Sequence, residues 1–110
     1  MNNPGYAGTA KPETVRELAL ALPTVVERLC YGTPGFYVRK KIFARLLEDG
    51  DSVVVRVENG RRAVLMKSNP QTFYITDHYR NYPMLIVRLS TVDPAELHDL
   101  LEEAWQLASA

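Results

Sequence analysis

Residues 42–58 read IFARLLEDGDSVVVRVE. Two runs, 42–47 and 52–58, are rich in Val, aromatics and alternation, the composition and period of half-buried β-strands. Between them stands Glu48-Asp49-Gly50-Asp51. An Asp-Gly pair between alternating runs predicts an antiparallel hairpin whose two central residues take positive φ. Period two then assigns faces. With Val53, Val55 and Val57 turned to the core, Ser52, Val54, Arg56 and Glu58 turn away; on the preceding strand Ala44 and Leu46 oppose Phe43, Arg45 and Leu47.

Working outward, residues 36–38 make a further strand between the turns Thr33-Pro34-Gly35 and Arg39-Lys40-Lys41, and Val25-Val26-Glu27-Arg28-Leu29-Cys30 offers a first strand. Tyr31-Gly32-Thr33-Pro34-Gly35 lacks P-loop spacing and a following helix, so it reads as a turn. Downstream, Asn59 is placed to cap a short helix that carries Arg61, Arg62, Val64, Leu65 and Met66 and ends at Asn69-Pro70. Residues 72–75 read as a short strand, 77–82 as an irregular loop, and 84–89 as the last strand.

Helices flank this meander. Pro12 suits a first helical turn, Val15, Leu18, Ala19 and Leu22 recur on one helical face, and Pro23 stops the run. At the other end Asp93-Pro94-Ala95-Glu96 combines an N-cap, a proline at N1 and an acid at N3. Leu97, Leu100, Leu101, Ala104, Leu107 and Ala108 form the buried stripe of that helix, with Trp105 on its edge. Both stripes need a sheet to lie on, which makes the fold α+β: a two-layer sandwich with an antiparallel sheet and the N- and C-terminal helices packed on one face.

The 110 residues, 46% apolar and 24% charged, suit one domain over 11–110 behind a flexible leader, 1–10. The single Cys30 excludes an internal disulfide framework and reads as buried and inert. No apolar run approaches a membrane span, and the start lacks the character of a signal peptide. A soluble cytoplasmic protein is the expectation. Thirteen basic against thirteen acidic side chains exclude a strongly basic nucleic-acid binder at whole-chain level.

That zero hides an asymmetry. Residues 28–90 hold eleven basic and five acidic side chains, while residues 91–110 hold five acids and no Lys or Arg. The helix-free sheet face would present Arg39, Arg45, Arg56 and Arg88 among Tyr37, Phe43, Leu47 and Val54. Guanidinium groups pair with phosphates and rings stack on bases, so Arg39, Arg45, Arg56 and Arg88 are candidate phosphate ligands, with Tyr37 and Phe43 as stacking surfaces and Lys40, Lys41 and Arg80 extending the patch. A solvated sheet face and a homodimer interface are the alternative readings of the same residues.

The loop Thr76-Asp77-His78-Tyr79-Arg80-Asn81-Tyr82-Pro83 is the second candidate site, with His78, Tyr79, Arg80 and Tyr82 as its functional side chains. No nucleophile or orienting partner stands at defined spacing, so no catalytic residues are assigned and no enzyme is expected. Two histidines and one cysteine make no zinc pattern, and neither a metal nor another cofactor is expected.

With these segments in place, the chain resembles the MmcQ/YjbR family of small bacterial proteins. The resemblance rests on RELALALP (16–23), YGTPGFYV (31–38), KIFARLLEDGD (41–51), VVVRV (53–57), TFYITDHYRNYP (72–83), Val87-Arg88-Leu89 and residues 93–105, in that order. It implies a frataxin-like (CyaY-like) sandwich, in agreement with the residue-level reading, and a DNA-binding role tied to a proposed "double-wing" similarity. The leading expectation is therefore a protein of unknown function that binds nucleic acid, DNA in the family's case, through the basic sheet face. The rival is a small-ligand or homodimeric interaction module in which residues 77–82 and 31–36 line a pocket or seam, with no nucleic-acid role.

Overall fold

The computed structural model describes residues 10–110. The leader expected over 1–10 lies outside that range except for Ala10, which is buried against the core. Helix α1 spans Pro12–Leu20 and buries Val15 and Ala19, while Leu18 and Leu22 pack on the rim of the core. Proline at the first helical position costs nothing, because that N–H has no intrahelical partner.

Six strands follow: β1 (Val26–Cys30), β2 (Thr33–Val38), β3 (Lys41–Leu46), β4 (Ser52–Arg56), β5 (Phe73–Tyr74) and β6 (Met84–Arg88), with helix α2 (Asn59–Ser68) after β4. They form one sheet in the order β1-β2-β3-β4-β6-β5, every pairing antiparallel. The α+β two-layer reading holds. Helix α3 (Pro94–Ser109) is capped by Asp93, whose carboxylate accepts the Ala95 N–H. It buries Leu97, Leu100, Leu101, Ala104 and Ala108 against Phe36, Phe43, Val53, Val55, Leu85 and Val87 of the sheet. Trp105 donates its indole N–H to the Pro23 carbonyl at 3.0 Å and so ties α3 to the end of α1. Among the described residues no helix is long and apolar enough to cross a membrane.

Four local expectations are corrected. The β1–β2 turn is Tyr31-Gly32, both at positive φ (52° and 86°), and Thr33, Pro34 and Gly35 belong to β2, paired with Cys30, Leu29 and Arg28. Arg39 and Lys40 form the next two-residue turn at φ 52° and 67°, so Arg39 is not on the sheet face. Between β3 and β4 only Gly50 takes positive φ (71°). There the loop is four residues long, closed by Leu47 N–H to the Ser52 carbonyl at 3.0 Å, and Asp49 accepts the Asp51 N–H at 2.9 Å in an Asx-type turn. In α2 the cap position is Glu58, and Asn59 is the first helical residue.

The fifth correction decides the face. Phe36 pairs with Ala44 and Tyr37 with Ile42, which leaves Phe43 without a partner. This β-bulge turns Phe43 onto the helix side, where it is wholly buried in the core.

Candidate functional site

Directly opposed residues of an antiparallel sheet share a face. One such row runs across all six strands: Arg28, Gly35, Arg45, Val54, Ile86, Tyr74. Neighbouring rows bring Val26, Tyr37 and Ile42 together, pair Arg56 with Met84, and pair Ser52 with Arg88. Arg45, Arg56 and Arg88 thus share the helix-free face, as the alternation implies, and Arg28 joins them. No strand position on that face carries Asp or Glu: the sole strand carboxylate, Glu27, opposes the core residue Phe36 and binds Arg16 of α1 at 2.8 and 2.9 Å. Lys41 opposes Val38, a core residue, so it belongs to the helix side and does not extend the patch. Phe43 offers no stacking surface for the reason given above.

Each of the three expected arginines is anchored. Arg45 donates Nε–H to the Cys30 carbonyl at 3.0 Å and Nη2 to Glu48 at 3.1 Å. Arg56 clasps the Ile42 carbonyl with Nε and Nη2 (3.2 and 2.8 Å), and Arg88 donates Nε–H to the Gln71 carbonyl at 2.8 Å. Backbone carbonyls leave the guanidinium charge in place. Among the described residues nothing accepts from Nη1 of Arg45 or Arg56, nor from either Nη of Arg88. Rings underlie the cations: Tyr37 beneath Arg28, Tyr31 beneath Arg45 and Tyr74 beneath Arg88, at 5.6, 5.5 and 5.0 Å. Burial raises the Tyr37 hydroxyl above its ordinary pKa, and the neighbouring Cys30 adds to this against the opposing charges of Arg28 and Arg45. The phenol therefore stays neutral and brings no negative charge to the face.

The loop 76–83 closes over part of this face. Its 3-10 turn, Asp77–Tyr79, is held from below by Arg62 of α2, which donates to the carbonyls of Tyr79, Tyr82 and Met84 through Nη1 and to that of Arg80 through Nη2, at 2.8 to 3.2 Å. His78 sets its ring edge-on to Tyr79, 4.6 Å between centroids, and Arg80 pairs with Asp77. Between this loop and the β1–β2 turn lies a recess of about 130 Å³, floored by Ile42, Val54 and Met84 and walled by Cys30, Tyr31, Arg45, His78 and Tyr79. His78 and Tyr79 are thereby brought beside Arg45; Arg80 and Tyr82 remain exposed outside the recess. Val54 and Ile86 are buried on this second face, apart from the main core.

A family model, YjbR, matches residues 20–107 of the chain. The chain belongs to the YjbR family. Uncharacterized proteins of Mycobacterium tuberculosis and Mycobacterium bovis are 37% identical to it over 57 residues, a match covering 51% of this chain and 44% of theirs. The crystal structure of a Deinococcus radiodurans protein carrying the DUF419 domain superposes with a TM-score of 0.72 at 22% identity, covering 84% of this chain and 74% of that one. At that identity the likeness speaks for the fold.

Within this YjbR-family chain, Arg28, Cys30 and Arg62 are site residues that the sequence reading did not select, while Tyr31 entered it only within the 31–36 segment of the rival reading. Arg28 and Cys30 had a signal, since both alternate with the helix-side residues of β1. Cys30 is half-buried and lines the recess; it is not sealed in the core. Arg62 had none, because its four acceptors are backbone carbonyls of a distant loop.

Proposed function

We propose that this YjbR-family protein is a cytoplasmic binding protein without a chemical step, and that its ligand is nucleic acid held by phosphate contacts on the helix-free sheet face. One observation carries the reading: four arginines and no carboxylate occupy the strand positions of that face, while the acids of α1 and α3 lie on the opposite layer. Glu48 and Asp49, at the β3–β4 loop, border the patch and are engaged, by Arg45 and by Ser52, and at the end next to α3 Glu58 and Glu103 line a groove with Arg56. An arginine fixed by one hydrogen bond loses less side-chain entropy when a free Nη meets a phosphate oxygen.

Exposed Arg39 and Lys40, at the tip of the β2–β3 turn, carry two further cations beyond the sheet. The rings now available to bases are those of Tyr31, which is exposed although Arg45 lies over it, and His78; Tyr37 is half-buried beneath Arg28, and Phe43 is in the core. Amide chemical shifts followed during titration with an oligonucleotide test the reading. Perturbations concentrated on β1, β3, β4 and the 76–83 loop support it; perturbations confined to α1 and α3, or none, reject it.

The recess favours a second reading, that of a small-ligand site walled by the Tyr31-Gly32 turn and the His78 loop. A concentrated solution that sediments as a dimer with the arginine face covered would instead make a second copy of the chain the occupant.

A further inference from the structure

We infer that the recess between the Tyr31-Gly32 turn and the His78 loop accepts one unstacked base of a single nucleic-acid strand. The inference rests on the phosphate-binding reading of the surrounding face and deepens it, by naming the single strand as substrate class. Size comes first. A void of about 130 Å³ is close to the ~150 Å³ apolar cavities that admit a benzene ring. It is well below the ~300–1,000 Å³ of pockets that enclose drug-sized molecules. One planar ring system fills it, and the rest of a longer ligand stays outside.

The lining selects the ring. Ile42, Val54 and Met84 supply an apolar floor, and Tyr31 and His78 stand at its sides. Tyr31 is 89% exposed, held out by a turn with positive φ at both residues, so the face of its ring turned away from Arg45 is free to stack. At the wall, Arg45 keeps Nη1 without a partner among the described residues and can reach the edge of a base or the adjoining phosphate. Its Glu48 partner has 67% of its side chain exposed and can yield to a phosphate without any carboxylate becoming buried.

Charge argues for a strand over an isolated ring compound. Arg56 lies in register with Met84 on the recess floor, and Arg28 and Arg45 flank Gly35 on the other side. Cations on both sides of a ring-sized slot match a base with a phosphate before and after it. A duplex keeps its bases stacked inside and offers the recess nothing but backbone.

The test compares three labelled probes of equal length, about twelve nucleotides, by fluorescence anisotropy with the full chain: a thymidylate strand, the same backbone with every base removed, and a duplex. The thymidylate strand should bind about tenfold more tightly than the abasic backbone, whose charge is identical. It should also bind more tightly than the duplex. Tyr31→Gly, at a φ that glycine adopts freely, should bring the thymidylate affinity down toward that of the abasic strand. As a reading that needs no variant, alkylation of Cys30 should slow when thymidylate binds and be unaffected by the abasic strand. Equal affinities for thymidylate and abasic strands, a preference for duplex, or Cys30 reactivity indifferent to thymidylate overturn the inference while leaving phosphate binding standing. Failure of all three probes to bind at low salt overturns both.

Discussion

Arg45 donates its Nε–H to the Cys30 carbonyl at 3.0 Å although the two residues belong to strands separated by β2. The crossing passes over Gly35, which pairs with Arg45 on one side and Arg28 on the other. A Cβ there would meet Cys30 Cβ and Ile42 Cδ1 at 3.1 Å and Tyr37 Cε1 at 3.2 Å. The bare backbone of one residue thus lets β3 fasten an arginine onto β1 and keeps the floor of the face open.

Gly35→Ala should therefore destabilise the protein. Overpacking costs ~1–3 kcal/mol, against ~0.4–1 kcal/mol recovered by stiffening the unfolded chain, so the net loss is about 1 kcal/mol. Urea unfolding measures it. A midpoint that is unchanged or raised contradicts the close approach.

Arg62 is the second fastening. Its fork serves four loop carbonyls, and hydrogen bonds from a charged donor are worth ~1.5–3 kcal/mol each, without simple additivity. Arg62→Lys keeps the charge and loses the fork. The expected result is a loss of about 2 kcal/mol, with faster amide exchange over residues 76–84. Unchanged exchange in that loop would show that Arg62 does not hold it.

The Arg39-Lys40 turn stores strain. Two non-glycine residues at φ 52° and 67° each bear roughly 1–2 kcal/mol relative to right-handed backbone. Arg39→Asn with Lys40→Gly, the pair such turns favour, should raise stability by at least about 1 kcal/mol. It should also weaken oligonucleotide binding, since two cations leave the patch. A more stable variant with undiminished binding would remove this turn from the interface.

These residues also mark what the sequence made legible. Alternation in 42–58 located β3, β4 and their hairpin and, with the same period in 84–89, placed Arg45, Arg56 and Arg88 on one face, because side-chain direction in a strand follows parity. Parity failed at Phe43, where an unpaired bulge residue broke the count. The turn at Arg39-Lys40 was legible but its conformation was not, because left-handed backbone at Arg and Lys contradicts local preference and is imposed by the strands on either side. The helix pattern at α1 and α3 was plain from caps and spacing. The meeting of residues 31–36 with 77–82 was one of two rival expectations, but the floor beneath them, Ile42, Val54 and Met84, was not legible, and the loop's clamp, Arg62, binds carbonyls that every residue possesses.

Asp49 makes a pH prediction. Partial burial pushes its carboxyl upward, but the Asp51 N–H, the Ser52 hydroxyl and N–H, and the charge of Arg88 prevail and hold it below the ordinary range. A pKa depressed by folding stabilises the protein fully above the unfolded value of ~3.9 and is lost as pH falls through the folded one. Asp49→Asn should lower Tm at pH 7 and flatten its decline between pH 5 and the acid limit. A parallel decline in both proteins would exclude Asp49 as a source of acid sensitivity.

The central claim is that arginines of the helix-free face meet phosphates, and salt-titrated anisotropy with a single-stranded oligonucleotide tests it most directly. Four contacts at ~0.7 each predict a log–log slope of about −3, a loss of roughly fiftyfold between 50 and 200 mM salt. Arg28→Gln, which removes a cation that anchors no backbone group, should reduce the slope by about 0.7. Absence of binding at 50 mM salt, or a slope unmoved by Arg28→Gln together with Arg88→Gln, would contradict the account.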